Sequence, residues 1–207
     1  DVADVLVEKL SESMKSLSFG PYNNPANDFG PVITKNHQLS VINHINSAEN
    51  QGADIVVDGR DVQVKGHENG FYIGGTLIDK VTPEMNSYDA EIFGPVLQIV
   101  RVKTMQEAMD LIDNHEYGNG TCIFTRDGEA ARYFSDHIKV GMVGINIPLP
   151  VPVAYHSFGG WKRSLFGDVH AYGRDSVRFY TKRKTMTQRW PSAGIREGAQ
   201  FSILFMS

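Results

Sequence analysis

Between Val96 and Ile147 the sequence alternates short apolar runs with amphipathic segments that carry their own start signals, and this succession constrains the fold most. Val96–Val102 reads as a strand. Thr104-Met-Gln-Glu107 is a capping box, in which the Thr104 hydroxyl takes the Glu107 backbone N–H and the Glu107 side chain reaches back. It opens a helix carrying Ala108, Met109, Leu111 and Ile112. Thr121–Thr125 is a short buried-looking strand, Asp127 can cap a helix over Gly128–Ile138, and Val140–Ile147 is another strand. Strand, helix, strand, helix, strand at this spacing predicts parallel βαβ units. The expected class is α/β, a layered domain with a mostly parallel sheet.

Upstream, Val2, Leu6, Leu10, Met14 and Leu17 recur at steps of three and four, which predicts a helix over residues 1 to 17, ended by Gly20-Pro21. A second helix is expected from Asn36 to Gln51, with Leu39, Ile42, Ile45 and Ala48 inward and Gly52 as its stop. Strand-like runs follow at Asp54–Val57, Phe71–Ile73 and Leu77–Val81. Downstream, Pro148, Pro150 and Pro152 favour an extended chain without ladder donors. Residues 161–190 hold eight Lys/Arg against Asp168 and Asp175, a local charge of +6 within a chain of net charge −4. Within it, the alternation from Val177 reads as a half-exposed strand. Residues 1–176 then form the domain body, 177–190 an edge strand, and 191–207 a tail.

Several function classes find no support. One cysteine among 207 residues excludes an internal disulfide and a Cys-based zinc cage. Cys122 sits mid-strand, away from the helix N-terminus or basic neighbour that activates a thiol, and reads as an inert core residue. No G-x-S-x-G elbow, G-x-G-x-x-G turn or Walker loop occurs. His37 and His44 could share a helix face, but two ligands make no metal site. The basic segment is read as a solvated face or subunit contact, not a nucleic-acid patch. No stretch is long and apolar enough for a membrane helix. Asp1, Asp4 and Glu8 ahead of a single lysine are unlike a secretory or transit leader, so a cytoplasmic (or, after import, matrix-like) location is expected.

The sharpest segment is Glu91-Ile-Phe-Gly-Pro-Val96. Gly-Pro forces a turn, so Glu91 and Phe93 are presented at a strand entrance. A carboxylate there can accept both hydroxyls of a ribose, and an aromatic beside it can wall a nicotinamide. The plain alternative is a surface acid next to a core aromatic.

Taken with Asp28-Phe-Gly-Pro-Val-Ile33, Tyr117-Gly-Asn-Gly-Thr121, Ile123-Phe-Thr-Arg-Asp127, Val140-Gly-Met-Val-Gly-Ile-Asn146 and Ser157-Phe-Gly-Gly160, that segment resembles the aldehyde dehydrogenase superfamily from residue 1 to about Trp190. Asn146-Ile-Pro-Leu-Pro-Val-Pro152, Trp161-Lys and Phe166-Gly-Asp168 are similar to its CoA-acylating methylmalonate-semialdehyde dehydrogenase branch.

The resemblance implies an enzyme that holds an aldehyde on a cysteine as a thiohemiacetal, passes a hydride to NAD, and releases the thioester to coenzyme A. It assigns Glu91 to the cofactor ribose, Phe93 to the nicotinamide, and Phe158 and Asn119 to the substrate side. It implies that the 177–190 run joins a partner subunit, so the full enzyme is a homo-oligomer. It places the nucleophile and the cofactor domain outside these residues. No catalytic residue is therefore assigned here, and the chain by itself is expected to be inactive. A ribose contact and one aromatic contact supply about 1–2 kcal/mol each, where micromolar affinity needs about 8, so this chain alone is expected to bind NAD negligibly. The alternatives are a non-catalytic assembly module of that family and a portion of an enzyme that releases its product to water.

Overall fold

A computed structural model describes residues 2–153, 155–188 and 190. It begins with α1 (Ala3–Lys15) and α2 (Lys35–Asn50), the latter capped by the Thr34 hydroxyl, which accepts from the His37 N–H. β1 (Asp54–Val57), β2 (Thr76–Asp79) and β3 (Val96–Gln98) form one sheet with β2 in the middle and fully buried. A short helix, α3 (Asn86–Asp89), precedes the β3 entrance. Val41, Ile45 and Ala48 of α2 pack with Ile73, Ile78, Val81 and Met85 into the main core.

The predicted capping box opens α4 (Met105–Asn114), where the Thr104 hydroxyl accepts from Glu107 N at 3.1 Å. The Glu107 carboxylate reaches one residue further back than expected and accepts from Lys103 N at 2.7 Å. β4 (Tyr117–Gly118) and β5 (Gly120–Ile123) follow. α5 (Gly128–His137) starts at Asp127, whose carboxylate accepts from Glu129 N and Ala130 N. β6 (Met142–Ile145) returns parallel to β5, completing a βαβ unit. Met109, Phe134, Ile138 and Val140 form its core. β7 (Trp161–Lys162) lies antiparallel to β4. A single 3₁₀ turn at Gly173–Asp175 leads into α6 (Ser176–Tyr180).

The α/β class holds, with corrections of detail. Among the described residues the strands lie in three small sheets, and of their pairings only β2–β3 and β5–β6 are parallel. β1 pairs antiparallel with β2 because no helix crosses over between Val57 and Thr76. The expected strand at Phe71–Ile73 is irregular, since other loops take its backbone: Phe71 O accepts from Val32 N at 3.0 Å, and Tyr72 O accepts from the Gln38 amide. That bond turns Gln38 inward and leaves Leu39, expected inside, 46% exposed.

The half-exposed strand expected from Val177 is helical to Tyr180, and residues 181–188 enter no ladder. An edge strand needs a neighbour to complete its hydrogen bonds, and the described part of this chain offers it none. Without one, the residues after the 3₁₀ turn continue into a helical turn. Positions 191–207 of the expected tail lie outside the described residues.

Candidate functional site

The turn at 91–95 is built by alternation. Ile92 packs against the main core, so its neighbours Glu91 and Phe93 are both left in solvent. Gly94 lies so close to α2 that a Cβ there would come within 2.8 Å of Val41 Cγ2. Phe93 is 80% exposed and takes a left-handed backbone, φ 53°, which costs a non-glycine residue about 1–2 kcal/mol. The turn is held in that form from outside: His37 Nε2 lies 2.8 Å from the Phe93 carbonyl. A carbonyl only accepts, so Nε2 carries the proton. His37 is positioned by the first turn of α2, and nothing in the sequence marks it, because its partner lies 56 residues away.

Facing Glu91 is a second wall made by the α4 exit and β4. His115 Nδ1 accepts from Tyr117 N at 3.1 Å and its ring meets Tyr88 edge-on at 5.4 Å. Burial pushes the Tyr88 phenol up, and Asp89 adds to the shift. The two walls enclose a cleft of about 440 Å³. Ala90 and Glu91 line one side, His115, Tyr117 and Asn119 the other, and Arg163 and Ser164 complete it. Arg163 pairs with Glu116 and lies 5.6 Å from the Tyr117 ring centroid. The Glu116 carboxylate raises its guanidinium still further above the neutral range. Ser164 Oγ accepts from Gly118 N at 3.1 Å.

The structure therefore brings Glu91 and Asn119, which lie 28 positions apart in the sequence, to one cleft. Phe93 stands beside it on the exposed turn and does not line it. Phe158 is half-buried in a separate segment, stacked on Tyr172 with centroids 4.4 Å apart. His115, Arg163 and Ser164 escaped sequence reasoning, and His37 entered it only as a metal ligand, since each contributes through a long-range contact. Cys122 lies in β5 against Gly144, where an added Cβ would meet its sulfur at 2.9 Å, in keeping with a packing role. Among the described residues no cluster of three or more metal-ligating side chains occurs, and no helix is long and apolar enough to cross a membrane.

Residues 1–186 match the aldehyde dehydrogenase family, and the chain belongs to it. It is 63% identical to malonate-semialdehyde dehydrogenase of Pseudomonas aeruginosa over 98% of its length, which is 41% of that protein. It superposes on the crystal structure of methylmalonate-semialdehyde dehydrogenase from Oceanimonas doudoroffii with a TM-score of 0.86 and 77% identity, covering 94% of this chain and 40% of that one. A Sinorhizobium meliloti protein described as a methylmalonate-semialdehyde dehydrogenase, in complex with NAD, gives 0.87 and 53%, with the same coverage. The chain thus spans about 40% of the length of these relatives.

Proposed function

We propose that this chain forms the cofactor-facing wall of an NAD-dependent, CoA-acylating malonate- or methylmalonate-semialdehyde dehydrogenase that works in the cytoplasm as a homo-oligomer. The observation that carries the reading is the position of Glu91: a carboxylate in solvent, at the edge of a cleft it shares with Asn119. The residues fit the nicotinamide–ribose end of NAD. The Glu91 carboxylate has lone pairs for both vicinal hydroxyls of a ribose. The rigid turn sets its direction, and the Phe93 ring offers an exposed apolar face beside it. NAD, when bound, accepts the hydride. The Asn119 amide both donates and accepts, and suits a polar group on the substrate side. Phe158 and the stacked Tyr172 supply an apolar surface for the substrate funnel.

The test replaces Glu91 in a family-length enzyme that contains this chain. Glu91→Gln keeps the shape and removes the charge. Losing charge-assisted hydrogen bonds worth about 1.5–3 kcal/mol raises the KM for NAD about 10- to 100-fold, read by steady-state kinetics. An unchanged KM overturns the cofactor reading. Product analysis with and without coenzyme A decides the acyl acceptor: acyl-CoA supports the proposal, and free acid formed equally in both overturns that part of it.

A further inference from the structure

We infer that Lys162 is the positioning residue for the cleft wall opposite Glu91, acting through the C-terminus of α4; the inference rests on the cofactor reading above. The Lys162 ammonium donates to Ile112 O at 2.9 Å, Asp113 O at 3.0 Å and His115 O at 3.1 Å. These are end-of-helix carbonyls, which have no partner inside the helix and carry the negative end of its dipole. Helices commonly satisfy such carbonyls with a glycine just past the end. Here His115, Glu116 and Tyr117 follow Asn114, so no glycine is at hand, and the helix is closed by a cation from 47 to 50 residues further along the chain.

The chemistry selects lysine. An ammonium is a single atom with three protons and no acceptor, so it can serve three oxygens that converge on one point. A guanidinium spreads its donors around a plane and cannot reproduce that convergence. The lysine stem is seated as well. A Cβ on Gly118 would lie 3.3 Å from Lys162 Cδ and 3.0 Å from Lys139 O, so any larger residue there would crowd the lysine stem. The Lys162 backbone takes a left-handed conformation, φ 54°, unusual for a non-glycine residue, and still pairs with Tyr117 in the β4–β7 ladder.

The grip has consequences for the cleft. The segment 161–164 holds the α4 exit at three further places: the ladder, the bond from Arg163 N to Glu116 O at 3.2 Å, and the Ser164 contact with Gly118. His115, Tyr117 and Asn119, carried by that exit, line the cleft with Glu91. A ligand that spans the cleft must meet both walls at once, and Lys162 helps to set the distance between them by locking the α4 exit. Misplacement by a fraction of an ångström is enough to weaken such binding.

The test uses Lys162→Met in a family-length enzyme that contains this chain. The KM for NAD should rise about tenfold, with kcat at saturating NAD falling by much less. A purely structural role would reduce the active fraction, lowering kcat and leaving KM unchanged. Lys162→Arg, which keeps the charge, serves if the Met variant does not fold, and should show a smaller rise of the same kind. In the wild-type protein, acetic anhydride should modify Lys162 about ten times more slowly than the exposed Lys65, read by peptide mass. A wild-type KM in a folded variant, or equal labelling of the two lysines, overturns the inference. An effect of Glu91→Gln with none from Lys162→Met sinks this inference alone. No effect from Glu91→Gln sinks the cofactor reading beneath it.

Discussion

Residues 35–145 and residues 155–188 are held by different forces. In the first region apolar side chains at helical and strand spacing close two cores, and β2 is inaccessible along its whole length. In the second, Gly160 is buried but no other described residue is, and Phe166, Tyr180 and Met186 stand in water. Its order comes from discrete polar contacts: Lys162 on the α4 carbonyls, Ser164 on Gly118, Ser157 on His170 and Ser176 on Gly173. The cleft lies where the two meet. A core-anchored turn supplies Glu91, and the polar-strapped strand β4 with the residue after it supplies Tyr117 and Asn119. Packing fixes a wall through many small contacts, while a strap concentrates control in one or two residues.

The largest expected effect tests the packed region. Ile78 is fully inaccessible at the centre of β2. Ile78→Ala removes buried methyl groups and leaves a void, and should cost about 3 kcal/mol in urea unfolding. A loss below about 1 kcal/mol would mean that the region relaxes freely, and the contrast between the two regions would fail.

A smaller effect tests a strong polar tie within the packed region. Asp79, 3% exposed at the end of β2, accepts from Arg101 Nε at 3.0 Å and Arg101 Nη2 at 2.6 Å, and Arg101 also reaches Asp4 on α1 at 2.7 Å. The Arg101 guanidinium, helped by the Lys80 backbone, holds the Asp79 carboxyl below the usual carboxylate range. Its folded value is therefore lower than its unfolded one, near 3.9. The stabilisation is complete above the unfolded value and is lost as pH falls through the folded one. The urea midpoint of the wild type should stay level from about pH 7 to 5 and fall below about pH 4 as this term is lost. Asp79→Asn should lower stability at neutral pH by less than Ile78→Ala does, and flatten the acid decline. An unchanged acid slope in the variant would show that the tie is not a source of it.

What could be read from the sequence follows the same division. Thr104 and Asp127 act on backbone N–H groups two or three residues away, so these caps and helix starts are local and visible in the chain. The β5–α5–β6 unit was legible for the same reason. The Glu91 turn announces itself because Gly94-Pro95 follows it, whereas Asn119 was singled out only through the family resemblance of the Tyr117–Thr121 segment. The β4–β7 pairing, the His37–Phe93 bond and the Lys162 cap join residues 43 or more positions apart. Periodicity carries no trace of such contacts. Gln38 shows the opposite failure: a polar residue beside an apolar stripe turns inward because a distant carbonyl requires a donor.

The smallest expected effect falls in the strapped region. Phe166 is 97% exposed, in a turn followed by Gly167 at φ 82°. An aromatic that gains nothing from burial contributes nothing on folding, so Phe166→Ser should leave the unfolding midpoint of this chain within about 0.5 kcal/mol of wild type. The same substitution in a core would rank among the most damaging. The measurement gains force when repeated over a range of protein concentrations. A midpoint that falls in the variant, and falls further on dilution, would show that Phe166 is covered by another copy of the chain. The strapped region would then be packed after all, through a surface that the isolated chain leaves open.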